Sequence, residues 1–333
     1  MKCLICNNLE ATKKNSHIIP SFLIAMVTSY DNSYKRDKEI LFTIRNFKTQ
    51  IYTGNLPSTE YERLFENLTE ERINHELKIN TAAKDYIFCP TCENNLSKYL
   101  ESPYAIFLYD NKNISNEIPF IFWISVIWRM SITGTYGFKL SKDIEDTLHL
   151  IIKNYFECKN NGDNFELPET LINYRMIYCK DFCKKNSGYI YAQYDSQNQI
   201  LSLTIGDLAI CFLFTTDKLP KDFVFLGLER HFINAPVNKG KETEKRINIT
   251  VDVYQESIKR FIQMAVKIKI SDDFKLMDKI WFKLNLFGYM PIRMKIIFLG
   301  LLYDSNVKIG ERHTVERYRG ILFYLLDNPE IWF

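Results

Sequence analysis

The strongest chemical signal in this 333-residue chain is a pair of Cys-x-x-Cys motifs, Cys3/Cys6 and Cys89/Cys92. A Cys-x-x-Cys turn presents two thiolates at a bite that suits a tetrahedral ion, and two such turns complete a zinc site. Cys89-Pro90-Thr91-Cys92 reads as the point where a strand becomes a helix, and the helix N-terminus there favours the Cys92 thiolate. Two unrelated pairs are the competing reading, because the spacer from Cys6 to Cys89 is long. A redox role is disfavoured because neither pair sits in a clear strand–helix redox unit with an adjacent aromatic. The expectation is one structural zinc ion on Cys3, Cys6, Cys89 and Cys92. Of the other cysteines, Cys179 and Cys183 are four apart on an expected helix, while Cys158 and Cys211 lie in apolar company and read as small hydrophobes.

Between the two pairs lies Ser16-His17-Ile18-Ile19-Pro20. The order Cys-x-x-Cys, His-Ile-Ile-Pro, Cys-x-x-Cys resembles the zinc-stapled HNH nucleases of the ββα-metal fold, with a treble-clef ligand layout. It is also similar to a set of uncharacterised bacterial proteins, some expected among phage-defence genes. There the second pair continues as in Cys92-Glu93, with Leu96-Ser97, Glu101 and a run like Ser125–Arg129 beyond. The HNH resemblance spans residues 1 to about 105, with an insert at 21–85. It implies that His17 is a general base, taking a proton from the water that attacks a scissile phosphate, beside a divalent ion, Mg²⁺ or Mn²⁺. The imidazole suits that task because its ordinary pKa lies near neutrality.

This chain departs from the family at three places. Ser16 stands where the family has an acidic or His ligand. Lys84 and Asp85 occupy the stretch where it has an Asn. Glu93 follows the last Cys where it has His or Asn, and a carboxylate there can still bind a hard cation. Asn94, Asn95, Glu101 and Asp85 are nearby substitutes. The resemblance thus assigns His17 and Glu93 as catalytic candidates. A structural His17, bonded to a backbone carbonyl, and Glu93 and Glu101 as helix residues paired with Lys98 or Arg129 are the bland alternatives.

Charge does not mark the first region as a nucleic-acid binder. Residues 1–105 carry 13 basic and 13 acidic side chains, whereas a stand-alone binder normally shows a basic footprint. From Lys239 to Arg319 there are 17 basic against 10 acidic residues. Lys241, Lys245, Arg246 and Arg260 are the candidate nucleic-acid contacts there, against the plainer reading of a solvated helix face. No phosphate-cradling Gly-rich loop, Gly-x-Ser-x-Gly elbow or His-Glu-x-x-His motif is present. His75, His149, His231 and His313 read as surface or core.

The elements expected to position these residues are as follows. Residues 1–20 read as a hairpin, 21–30 as a helix after Pro20, and Ile40–Tyr52 as paired strands. Ser58 can cap a helix through Tyr61, Leu64, Phe65 and Leu68 to about Ile79. Tyr86–Phe88 reads as a strand. Helices are expected at 117–133, 141–156 and 168–185, the last with Pro168 in its first turn. The run Ile118–Trp128 is too short for a membrane span of about 20 residues and reads as a buried helix. Tyr189–Tyr194, Ile200–Ile205, Leu208–Phe214 and Phe223–Leu226 read as an antiparallel meander. Asn234–Glu244 reads as a flexible loop, and the chain beyond Val253 as helical.

The expected fold class is α+β. A zinc-stapled treble-clef/ββα-metal-like domain at 1–105 precedes a helical region at 106–185, a small antiparallel sheet at 186–235 and a basic helical region at 245–333. Met1–Asn8 shows no signal-peptide h-region, and the expected location is cytoplasmic, without membrane contact. The leading functional reading is a metal-dependent HNH-like endonuclease acting on DNA or RNA, a defence effector with a protein activator. The alternative is a non-catalytic zinc-stabilised module that binds nucleic acid or protein.

Overall fold

A computed structural model describes residues 1–14, 16–28, 39–44, 49–54, 83–110, 112–134, 138–185, 189–284, 288–304 and 315–332. The helix expected from Ser58 to about Ile79 lies outside them. The described part is α+β, with strands β1 (Ser16–His17), β2 (Glu39–Ile44), β3 (Thr49–Gly54), β4 (Ala83–Lys84), β5 (Asn173–Tyr178), β6 (Tyr189–Asp195), β7 (Ile200–Ile205), β8 (Leu208–Leu213) and β9 (Ile247–Asn248). Helices are α1 (Ser21–Thr28), α2 (Pro90–Asn95), α3 (Ser102–Asp110), α4 (Glu117–Thr133), α5 (Lys142–Asn161), α6 (Phe182–Lys185), α7 (Glu229–Asn234), α8 (Val251–Lys283), α9 (Ile292–Leu302) and α10 (Val315–Asp327). A π-helical turn, Leu96–Glu101, joins α2 to α3. The chain divides into two compact units, Met1–Asn55 with Ile79–Ile258, and Leu56–Lys78 with Lys259–Phe333.

The first unit is built on α4. Every residue from Pro119 to Ser131 is buried, which is why this segment is apolar on all sides rather than on one stripe. Gly134, with φ 65°, ends the helix in the left-handed conformation that a C-terminal glycine supplies. No helix among the described residues is long and apolar enough to cross a membrane.

Three strands of the expected meander form, and β7 and β8 are buried along their whole length. β6, β7 and β8 pair antiparallel, Ile190 opposite Ile205 and Ile205 opposite Leu208. Gly206 takes φ 56° in the two-residue turn between β7 and β8, and a Cβ there would stand 2.9 Å from Met26. The sheet has seven strands in the order β2-β3-β6-β7-β8-β5-β9. β2 and β3, from the segment read as an insert, join its edge through Tyr52–Ile190 and Thr53–Tyr189.

Four local expectations are corrected. The helix expected at 168–185 is mostly β5, antiparallel to β8 from Asn173–Leu213 to Tyr178–Leu208. Pro168 suggested a helix start, but Tyr174, Met176 and Ile177 are buried, and their pairing with β8 outweighs local spacing. Cys179 and Cys183 therefore do not share a helix. They are buried on either side of a turn whose N–H groups at Asp181 and Cys183 donate to the Asp207 carboxylate. Tyr86–Phe88 is a bend with Tyr86 at φ 60° rather than a strand, and Phe223–Leu226 is a turn. Asn234–Glu244 is the expected loop, but an anchored rather than a flexible one. Asn238 and Glu244 within it are buried, and Tyr174 and Asn238 exchange backbone hydrogen bonds of 3.1 and 2.8 Å.

The second unit has its own core. Met277 and Trp281 of α8 pack with Met294, Phe298 and Leu302 of α9 and with Ile321, Leu322 and Leu325 of α10.

Candidate metal centre

Two loops 83 residues apart meet through their backbones before any side-chain chemistry is considered. Leu4 N–H donates to the Ile87 carbonyl at 3.0 Å, Lys13 N–H to Phe88 at 3.2 Å and Tyr86 N–H to Lys13 at 2.8 Å. The first loop is closed by Cys3 N–H to Leu9 O at 2.8 Å and Asn7 N–H to Cys3 O at 2.9 Å, with Asn7 at φ 56°. Asparagine tolerates that left-handed conformation better than most residues. The second loop enters α2 with Cys89 as its N-cap, extended at φ −85° and ψ 160°, and Pro90 in the first turn. The Cys89 sulfur accepts from Cys92 N–H at 3.4 Å, the bond that an N-cap residue offers to an otherwise unsatisfied helix donor.

These loops bring the sulfurs of Cys3, Cys6, Cys89 and Cys92 within 4.8 Å of one another. Cys6 Sγ and Cys89 Sγ are 3.9 Å apart. Tetrahedral sulfurs bound at ~2.3 Å to a common ion stand ~3.8 Å apart, so the spacing fits a metal ion. Charge points the same way. Its hydrogen bond with Cys92 holds the Cys3 thiol down to about 4, while that bond, burial and the Cys3 charge push Cys92 far up. Burial pushes Cys89 up as well. Four thiolates at this spacing need a cation to coexist, and an all-sulfur tetrahedral set selects zinc or iron among common ions.

The site is held from outside by α4 and α5. His149 Nε2 bonds the Ile5 carbonyl at 2.7 Å and its ring stacks on Trp128 at 5.3 Å, which in turn stacks on Phe88 at 6.3 Å. No sequence signal singled out His149, because its partner is a backbone atom 144 residues away.

β1 runs beside the cysteines, paired with β4 through Ser16–Lys84 and His17–Ala83. Lys84 Nζ donates to the Thr133 carbonyl at the end of α4, at 2.7 Å. His17 is half-buried, and its carbonyl accepts from Arg129 Nη1 at 2.8 Å. Glu93 follows Cys92 in α2. Burial pushes its carboxyl up, and the Arg129 charge, the Ser16 hydroxyl and the His17 N–H oppose that rise. Ser16 Oγ and Glu93 Oε2 are buried without a hydrogen bond of good geometry, so Ser16 acts on Glu93 through proximity. Glu101 forms an ion pair of 2.7 Å with Arg129. The structure thus gathers Ser16, the His17 backbone, Glu93, Glu101 and Arg129 into one corner beside the four cysteines. Among the described residues, the four cysteines form the only close group of three or more His, Cys, Asp or Glu ligand atoms.

The candidate nucleic-acid residues fall in both units. Lys241 lies 4.0 Å from Glu169 and Lys245 is 2.6 Å from Glu242. Arg246 stacks over Tyr178 at 4.5 Å. Arg260 is exposed on α8, in the second unit. No protein-family model, curated protein or solved structure matches the chain.

Proposed function

We propose that this protein is a zinc-stapled, HNH-like nuclease with a treble-clef metal site, and that His17 and Glu93 act on a phosphodiester bond. The observation that carries the reading is the common corner. The strand bearing His17 is tied through Arg129 to Glu101, in the turn that continues the helix starting at the second cysteine pair, and Glu93 is the residue after the last cysteine. In this reading the four cysteines hold zinc and fix the frame.

His17 takes the proton of a water that attacks phosphorus, as one phosphorus–oxygen bond forms and the bond to a sugar oxygen breaks. Glu93 Oε2 and Ser16 Oγ are the hard oxygen donors that would hold Mg²⁺ or Mn²⁺ in this corner. Such an ion supplies charge neutralisation at the phosphate. The 17 basic residues between Lys239 and Arg319 are the source of electrostatic attraction to nucleic acid.

The test is cleavage of supercoiled plasmid and labelled RNA with Mg²⁺ or Mn²⁺, by the full chain and by His17→Ala. The reading requires metal-dependent cleavage that falls by about 10²–10⁴-fold in the variant, with metal content and melting unchanged. Equal cleavage by both proteins refutes the role of His17.

A second reading, a non-catalytic zinc-stabilised module that binds nucleic acid or protein, is favoured by one observation. His17, Glu93 and Glu101 do not form a close group of three ligand atoms. Binding without cleavage, unaffected by His17→Ala, supports that reading.

A further inference from the structure

Arg129 is a charged residue in a helix that is otherwise wrapped in apolar side chains, and only 1% of its side chain is exposed. Burying a guanidinium costs several kcal/mol unless its donors are met, and apolar residues of the same size commonly give equal or better stability. What Arg129 touches therefore carries information. Its Nη1 donates to the His17 carbonyl at 2.8 Å and to Glu101 Oε1 at 2.7 Å, and its Nε donates to Ser125 O at 3.3 Å within α4. Nη2 is buried without a hydrogen-bond partner, as are Ser16 Oγ and Glu93 Oε2. These three atoms come from β1, α2 and α4. The π-helical turn that ends at Glu101 lies between α2 and this contact, and such turns often mark functional sites.

We infer that Arg129 is a positioning residue for this corner. One guanidinium ties the His17 backbone to the Glu101 carboxylate, so that the strand bearing His17 and the helix bearing Glu93 keep one relative geometry. The use made of that geometry rests on the nuclease reading; the geometry itself does not. Lysine keeps the charge but lacks the rigid, planar guanidinium that the Nε bond to Ser125 O holds in place while Nη1 serves His17 and Glu101. Arg129→Lys separates charge from positioning for that reason.

The experiment compares wild type, Arg129→Lys and Glu101→Gln in the full chain. Melting and metal content establish folding, electron paramagnetic resonance of free Mn²⁺ gives Mn²⁺ affinity, and plasmid nicking gives kcat and KM. Folded Arg129→Lys is expected to lose about 100-fold in kcat, the scale of a 1 Å misplacement. Its KM should be unchanged, and its Mn²⁺ binding about tenfold weaker, the lower end for a lost supporting contact. If Arg129→Lys does not fold, Glu101→Gln, which removes the counter-charge that draws Arg129 Nη1 to this corner, carries the same comparison with the same losses expected. Wild-type kcat and Mn²⁺ affinity in the folded variant overturn the inference, and so does a kcat that falls only with the folded fraction. If wild type does not nick, the nuclease reading fails and Mn²⁺ affinity alone decides. A weakened affinity in the variant then upholds the positioning role, and an unchanged affinity, or no binding by wild type, ends it.

Discussion

The guanidinium of Arg129 and the backbone carbonyl of His17 are joined by a 2.8 Å hydrogen bond across 112 residues of chain. The bond links the buried helix α4 to the strand beside the four cysteines. It makes the position of His17 a property of the core rather than of a surface loop. Truncating the arginine leaves the His17 carbonyl and Glu101 without this donor. Arg129→Ala should therefore cost about 3–5 kcal/mol in urea unfolding. Glu101→Ala, which leaves the buried guanidinium without its counter-charge, should cost about 3–5 kcal/mol as well. A loss below about 1 kcal/mol for Arg129→Ala would contradict the account of a buried, obligatory contact.

His149 supports the first cysteine pair from behind, through the Ile5 carbonyl at 2.7 Å and a stack on Trp128. Contacts of this kind around metal ligands commonly change metal affinity by about 10–100-fold. His149→Ala should fold and bind metal, but release it to a colorimetric chelator about 10–100 times faster than wild type. Identical release rates would show that the loop holds its shape without the histidine.

Glu244 gives a pH dependence whose sign is fixed by its burial. Its carboxylate accepts from Tyr174 OH at 2.6 Å and Tyr104 OH at 3.1 Å, and burial pushes its pKa up to about 7 against those bonds and the Arg246 charge. The folded protein then holds a proton that the unfolded chain has released, between an ordinary 4.5 and about 7. The contribution of this group is full below 4.5, is lost as pH rises through about 7, and is flat above. At 1.36 kcal/mol per pKa unit the change is roughly 3 kcal/mol. Melting curves at pH 5 and pH 8 should show this difference for wild type and a much smaller one for Glu244→Gln. An unchanged difference in the variant would assign the dependence to other groups.

What the sequence made legible was local. The Cys-x-x-Cys spacing, the apolar run that became α4 and the short apolar runs of β6, β7 and β8 are each local, and each was found where its pattern pointed. What it hid depends on partners far along the chain. β5 looked helical because its pairing with β8 is 30 or more residues away in the register Tyr178–Leu208 to Asn173–Leu213. Glu244 looked solvent-facing because Tyr104 is 140 residues distant and Tyr174 is 70. The pairing of Glu101 with Arg129 was among the alternatives the sequence offered and is present, whereas the bond from Arg129 to the His17 carbonyl, 112 residues away, carried no local signal. In the 239–246 loop Lys245 pairs with Glu242 and Arg246 stacks over Tyr178, neighbours that a charge count does not show.

The central claim is that Cys3, Cys6, Cys89 and Cys92 jointly hold one zinc ion. X-ray absorption at the zinc edge, on protein purified under reducing conditions with its metal content measured, addresses it directly. The account predicts one zinc per chain with four sulfur neighbours at ~2.3 Å, and loss of that signal in Cys89→Ser. A folded protein without bound metal, or a zinc shell of fewer sulfurs completed by nitrogen or oxygen, would contradict it.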